Sequence, residues 1–447
     1  MNHGKFTLIL AGAAFAGFAL TSCVAGKDGH ERTNTVDTKT DKTGTDKAGS
    51  NDAGSKMTPV AHNLPEPGPI DPFMTTGIDY LVKAQHEDGG WGGGSHSAQD
   101  IRDPHAVKTD PGSTSFAAMA LMRAGHLPFA GEHAEALLKA TKYVVGAVEQ
   151  AKEDGPLITD IEGTQLQTKL GRIIDTSMAS QFLSRVLPYT EPDAALQERV
   201  EKALDKCIRK IEISQGEDGS WTTSGWAPVL QSSMNNQALE LAGVAGRKVN
   251  EEVLDRSREY QRKNVNAATG EVVADAAAGV RFYAGAAAQR AAAKDAVEAE
   301  VALEDARREG KVEADAKVTA ENLEKAGYST ETATLKATAY NQNQSLLGKL
   351  NDEGYLSGFG NNGGEEFISY MLTSESIVIT GGDSWEKWNK KMHTMFEKIQ
   401  NKDGSWSGHH CITSPVICTS AAILCLTADR DTHVLLETSP LMSAKKK

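Results

Sequence analysis

The chain has 447 residues, 39% hydrophobic and 24% charged, enough for one large domain or two ordinary ones plus some polar tail. Its net charge of −13 disfavours a nucleic-acid partner, and the acidity is dispersed, which reads as solubility. Five scattered cysteines are too few for a disulfide framework, and none forms the C-x-x-C pair of a zinc ribbon.

Residues 1–23 read as a secretory signal. Lys5 precedes an uncharged apolar run from Phe6 to Leu20, too short for a typical transmembrane helix. The run ends in Leu20-Thr21-Ser22-Cys23, which resembles the lipobox of bacterial lipoproteins. The resemblance implies lipidation at Cys23, export and anchoring to a bacterial membrane, with the body in the periplasm or at the cell surface. An ordinary signal peptide that happens to hold a cysteine is the alternative. Residues 24–68 are dominated by Thr, Lys, Asp, Gly and Ser and cannot bury enough surface to offset their ordering entropy. They are expected to be a disordered tether, stiffened at its end by Pro65, Pro67, Pro69 and Pro72.

Three later segments share one signature, Gln-x-x-Asp-Gly-small-Trp, at the end of an amphipathic helical pattern. They hold Gln85, Asp88, Gly89 and Trp91; Gln215, Asp218, Gly219 and Trp221; and Gln400, Asp403, Gly404 and Trp406. The glycine suits a left-handed helix C-cap. The glutamine amide suits the orphan carbonyls of that turn or the free N–H groups of the next helix. Asp88, Asp218 and Asp403 recur with the turn, which argues for a structural role. A second helix rich in small residues follows each motif, as in Thr114-Ser115-Phe116-Ala117-Ala118 and Thr419-Ser420-Ala421-Ala422, with related starts at Thr176-Ser177 and Ser232-Ser233. Such a unit cannot bury its face alone and must stack on neighbours. About six units fit between residues 73 and 428; the second, fourth and fifth are degenerate, with Asp154-Gly155 and Thr269-Gly270 as worn turns.

These motifs resemble the Gln-Trp repeat of squalene and oxidosqualene cyclases and of protein prenyltransferase β subunits. In the first copy the likeness extends back through Gly77, Tyr80 and Leu81. The resemblance implies an all-α fold, an α/α toroid of about six helical hairpins over residues 69–430, with small-residue helices lining the inner barrel. Residues 286–326, rich in Ala, Glu, Lys, Asp and Arg, are expected to be a helical insertion, and residues 431–447 a tail.

In such a toroid the turn-to-helix loops line the cavity mouth. Their polar residues are His96, Asp100, Arg102, Asp103, His105 and Asp110 in unit one, Asp160, Glu162 and Asp175 in unit two, Glu365 and Glu366 in unit five, and His409, His410 and Cys411 in unit six. Asp110 and Asp175 stand just before inner helices, where N-caps belong. The superfamily's enzymology lacks its residues here. No Asp-x-Asp-Asp acid motif of a class II terpene cyclase occurs, and aromatics are only 6%. Asp205 and Cys207 have the spacing of a prenyltransferase zinc pair but precede a Gln-Trp turn, where the family's pair follows one. The Cys-Gly-Glu-Gln thioester of macroglobulin-type toroids is also absent. No cofactor is implied; zinc is the ion that His409, His410 and Cys411 with His96 or His105 would take. Cys411, Cys418 and Cys425, seven apart, read as packing residues of one helix face. The expectation is an envelope lipoprotein with a binding or scaffold role towards a peptide, glycan or lipid, with an enzyme of cyclase or transferase type on an isoprenoid or other apolar substrate as the alternative.

Overall fold

The computed structural model describes residues 67–222, 224–273, 280–358 and 363–437. The expected signal segment with Cys23 and nearly all of the expected tether lie outside the described residues, as do residues 438–447. Among the described residues the secondary structure is helical, with only isolated β-bridges in loops. None of these helices is long and apolar enough to cross a membrane.

Six outer helices alternate along the chain with six inner ones. The outer set is α1 (Pro72–Lys83), α3 (Ala134–Gln150), α6 (Ala194–Glu212), α8 (Glu251–Lys263), α11 (Thr330–Lys349) and α14 (Ser384–Ile399). The inner set is α2 (Pro111–Arg123), α5 (Ile174–Val186), α7 (Pro228–Val244), α9 (Arg281–Arg308), α13 (Gly364–Thr380) and α15 (Pro415–Leu426). Each inner helix packs on the next, and α15 returns to α2, so the ring closes. This is an α/α toroid. The sequence separates the two layers. An outer helix such as α6 buries Leu196, Val200, Leu204, Cys207, Ile208 and Ile211 on one face only. An inner helix such as α13 or α15 is buried all round, and its Ala, Ser and Thr residues let neighbouring backbones approach.

The three Gln-Trp turns are built alike. Each glutamine amide donates to the carbonyl of its own turn glycine and to a carbonyl in the first turn of the next outer helix. Gln85 reaches Ala136 at 2.8 Å, Gln215 reaches Val253 at 2.8 Å, and Gln400 reaches Phe73 at 2.7 Å. The last of these joins unit six to unit one. The indole N–H of Trp91, Trp221 and Trp406 donates to the carbonyl ten residues earlier, at 2.7, 2.8 and 2.8 Å. The backbone N–H of each tryptophan donates to Thr114, Ser232 or Thr419, which explains why a hydroxyl opens each of these inner helices. Asp88, Asp218 and Asp403 accept from the residue two ahead. Gly89, Gly219 and Gly404 have φ of 87°, 86° and 88°. They sit in the turn proper, several residues past the helix end, pressed against the next outer helix, and not at a helix C-cap. A Cβ on Gly219 would lie 2.3 Å from the Arg256 carbonyl oxygen.

Units two, four and five lack the glutamine and draw the equivalent donor from the following outer helix. Lys210 donates to the Lys152 and Gly155 carbonyls, Gln342 to the Arg262 and Val265 carbonyls, and Lys391 to the Leu350 carbonyl. The stitch between units is the common requirement; the motif is one way of meeting it.

The expected insertion at 286–326 starts inside the ring. Ala286, Ala287, Ala288, Ala291, Ala292 and Ala293 are buried on the inner helix α9, because alanine is the residue that fits between crowded helices. Only the second half of α9 projects. It packs with α10 (Ala320–Lys325) and the start of α11 around Ala299, Leu303, Val318, Leu323, Ala333 and Ala337.

At the C-terminal ends of the inner helices lies a chain of buried charges. Arg123 pairs with Glu375 and Asp431, both at 2.7 Å, and Arg185 also pairs with Asp431. Arg290 joins Glu375 to Glu240, which meets Arg258 at 3.0 Å. Residues 431–437, expected as tail, therefore belong to the body: Asp431 is ion-paired, and α16 (Thr432–Glu437) packs on α13.

Candidate functional site at the barrel mouth

The inner helices all follow an outer helix through a loop on the same side, so their N-termini share one end of the barrel. The short helix α4 (Gln165–Leu170) crosses that end. Thr164 and Gln167 form its capping box. Gln165 accepts the N–H groups of Thr413 at 2.7 Å and Ser414 at 3.0 Å, in unit six. The Lys169 carbonyl accepts from Trp226 and Ala227, in unit three. The Lys169 ammonium lies 3.0 Å from Glu365, in unit five, and 4.1 Å from the centroid of the Trp226 ring.

Glu365 and Glu366 occupy the first turn of α13. Glu366 accepts the Gly363 N–H at 2.9 Å. Burial, and then the charge of Glu365, push its carboxyl up to about 7. Beside them is the loop carrying His410 and Cys411. Among described non-glycine residues only Cys411 has a left-handed backbone, φ 59°. Burial pushes its thiol up, against the pull of the Lys169 ammonium. One ligand atom each from Glu365, His410 and Cys411 lies within 4.8 Å of the other two.

The other sequence candidates have different partners. Asp110 caps α2 by accepting from Ser113 at 2.7 Å and also binds the Gly93 N–H. Asp175 accepts from Gly112, in the neighbouring inner helix, at 3.0 Å and from Gln167 at 2.7 Å. These two carboxylates tie the starts of α2 and α5 together. His96 lies edge-on to Trp226, ring centroids 5.8 Å apart, and His105 bonds the Lys83 carbonyl beside His86. His409 is exposed. None of these three joins the His410–Cys411 cluster. Asp205 is turned outward to Arg247, while Cys207 is buried on α6. The four described cysteines are free thiols. Lys169 and Trp226 escaped the sequence reading. Trp226 carried a signal, being the one tryptophan outside both a repeat turn and a helix.

Asp175 yields a pH prediction. Burial, then the charge of Asp110, push its carboxyl up to about 7. The folded protein therefore holds this proton more tightly than the unfolded chain. Its stabilisation is complete below the ordinary carboxylate value and is lost as the pH rises towards 7. Urea midpoints should fall over that window, and Asp175→Asn should flatten the fall; an unchanged slope in the variant would contradict the assignment.

Residues 61–157 match the family model of the squalene-hopene cyclase C-terminal domain. A search of curated proteins finds no match. Among solved structures, an inactive variant of the α-1,6-mannanase GH76A of Salegentibacter sp. HEL1_6, in complex with α-1,6-mannotriose, is similar at 8% identity and a TM-score of 0.47, covering 80% of this chain and 98% of that one. The chain is an α/α toroid, part of which matches that cyclase domain model, and its sequence holds neither the Asp-x-Asp-Asp acid motif nor a zinc pair placed after a Gln-Trp turn.

Proposed function

We propose that this toroid is an exported, lipid-anchored protein that binds a carbohydrate at the barrel mouth. The observation that carries the reading is Trp226. It is 57% exposed, whereas Trp91, Trp221, Trp385, Trp388 and Trp406 are all buried to 4% or less. A fixed, solvent-facing indole beside hydrogen-bonding groups is the chemistry that holds a sugar ring, apolar face to apolar face with hydroxyls bonded around it. Such groups abound at this end. Ser177 Oγ, both polar atoms of the Gln231 amide, Asn235 Oδ1 and Asn236 Oδ1 are buried without a hydrogen-bond partner among the described residues. They lie in the first turn of α5 and the first half of α7 and call for water or ligand. An isoprenoid would instead want an apolar, aromatic surround.

Because the other indoles are buried, quenching of tryptophan emission by a solvent-borne quencher, and its relief by a bound sugar, report on Trp226. Titration with cellotriose, chitotriose and mannotriose should give a saturable change with at least one of them. Trp226→Ala should remove the optical change, and calorimetry should show affinity weakened by about tenfold. No change with any of the three up to millimolar concentration would count against the carbohydrate reading. Anchoring has a separate test: Cys23→Ser should release the protein from membranes.

A further inference from the structure

We propose that Glu365, His410 and Cys411 form a binding site for a zinc-class divalent cation at the barrel mouth. The inference goes beyond the carbohydrate reading and does not depend on it. Three features of the chain carry it. The first is proximity: the three ligand atoms lie within 4.8 Å of one another. In a tetrahedral zinc site the bond lengths place such atoms roughly 3.3–3.7 Å apart, so closure by about 1 Å completes the set. The second is the backbone. Side chains of consecutive residues ordinarily diverge, but the left-handed turn at Cys411 lets His410 and Cys411 share one neighbour. That loop is fixed to α13, which carries Glu365, by the Gly364 N–H donating to the Ile412 carbonyl at 2.9 Å, and the His410 ring lies so close over Gly363 that a Cβ there would stand 2.5 Å from it. The third is charge. Glu365 is buried and its described counter-charge is the Lys169 ammonium, 3.0 Å away. A dication would take over that role, and the ammonium already has a second seat over the Trp226 ring.

The donor set selects the ion. Thiolate, imidazole and a single carboxylate suit zinc or cobalt, whereas calcium and magnesium want six or more oxygen ligands, several of them from water or carboxylates. Three protein donors leave a fourth position open. Binding converts the Cys411 thiol to a thiolate and releases its proton to solvent, so affinity rises with pH.

The test is cobalt titration of the chelator-stripped full chain. The expected result is a thiolate-to-cobalt charge-transfer band in the near ultraviolet with tetrahedral d–d bands in the visible, both removed by zinc. Cys411→Ser should lose the charge-transfer band, and His410→Ala should weaken cobalt binding at least tenfold, to about the extent that loss of a ligand-supporting group does elsewhere. His409→Ala should leave the spectrum unchanged. Far-ultraviolet circular dichroism of each variant separates loss of the site from loss of the fold. The proposal is overturned if the parent protein shows no charge-transfer band, or if the Cys411→Ser variant, folded, keeps the same band.

Discussion

Asp431→Asn should destabilise the toroid by about 3–5 kcal/mol, the cost of stripping one partner from a buried ion pair. Asp431 carries two guanidinium groups, Arg123 at 2.7 Å and Arg185. An asparagine leaves Arg185 without its described anion and leaves Arg123 with Glu375 alone. Burial pushes the Asp431 carboxyl up, but Arg185 and Arg123 together hold it below the ordinary carboxylate value. Its stabilisation is therefore present at neutral pH and lost as the pH falls through that depressed value. Urea denaturation at neutral pH reads the cost directly. A double variant with Arg185→Met should recover part of the loss, because the stranded charge is gone. Truncation after Arg430 should cost more than the single variant, because it also removes α16 and the buried Leu435. A midpoint within experimental scatter of the parent for Asp431→Asn would mean that the paired charges contribute nothing net.

That residue also marks where sequence reading stops. The Gln-Trp turns were legible because a local pattern repeats three times and every hydrogen bond within the turn spans a few residues. The donors in the other three units were not. Lys210, Gln342 and Lys391 lie 41 to 80 residues from the carbonyls they meet and look like ordinary positions of an outer helix. The charge chain at the barrel base is less visible still, since Arg123 and Asp431 are 308 residues apart. Alanine-rich sequence misled in a different way. The run from Ala286 to Ala293 has the composition of a solvated helix, and only the crowding of neighbours makes it an inner one.

The mouth was half legible. Glu365, His410 and Cys411 were each visible as polar loop or cap residues, but the grouping was not, because it depends on one left-handed backbone at Cys411. The sequence pairs His410 with His409; the fold pairs it with a glutamate from the previous unit. Lys169 was hidden for another reason. Its helix α4 is an excursion between an outer and an inner helix, and nothing in the repeat foretells a segment laid across the opening. What a repeat specifies is how units join, and the chemistry collects where the repeat is interrupted.

The joint between the last and first units gives the sharpest test of the ring. Trp406 is fully buried, donates its indole N–H to the Phe396 carbonyl, and lies against α1 with its ring 2.6 Å from where a Cβ on Gly77 would stand. Trp406→Ala should cost about 3–5 kcal/mol, the usual range for removing a buried tryptophan. Gly77→Ala alone should cost about 1–3 kcal/mol, because the added methyl is forced into that ring. In the Trp406→Ala background the ring is gone, and the same Gly77→Ala change should instead stabilise by about 0.5–1 kcal/mol, as alanine does in a helix interior. A sign reversal cannot come from two independent sites, whose effects add. Denaturation of the four proteins completes the cycle. If Gly77→Ala has the same sign in both backgrounds, then α1 and the third Gln-Trp turn are not in the contact that closes the ring. Gln400→Leu adds an independent reading, since it removes the 2.7 Å bond to the Phe73 carbonyl while leaving the indole in place. Its cost should be nearer about 2 kcal/mol, the net worth of the bonds to the Phe73 and Gly404 carbonyls together, so the tryptophan, more than the glutamine, holds unit six against unit one.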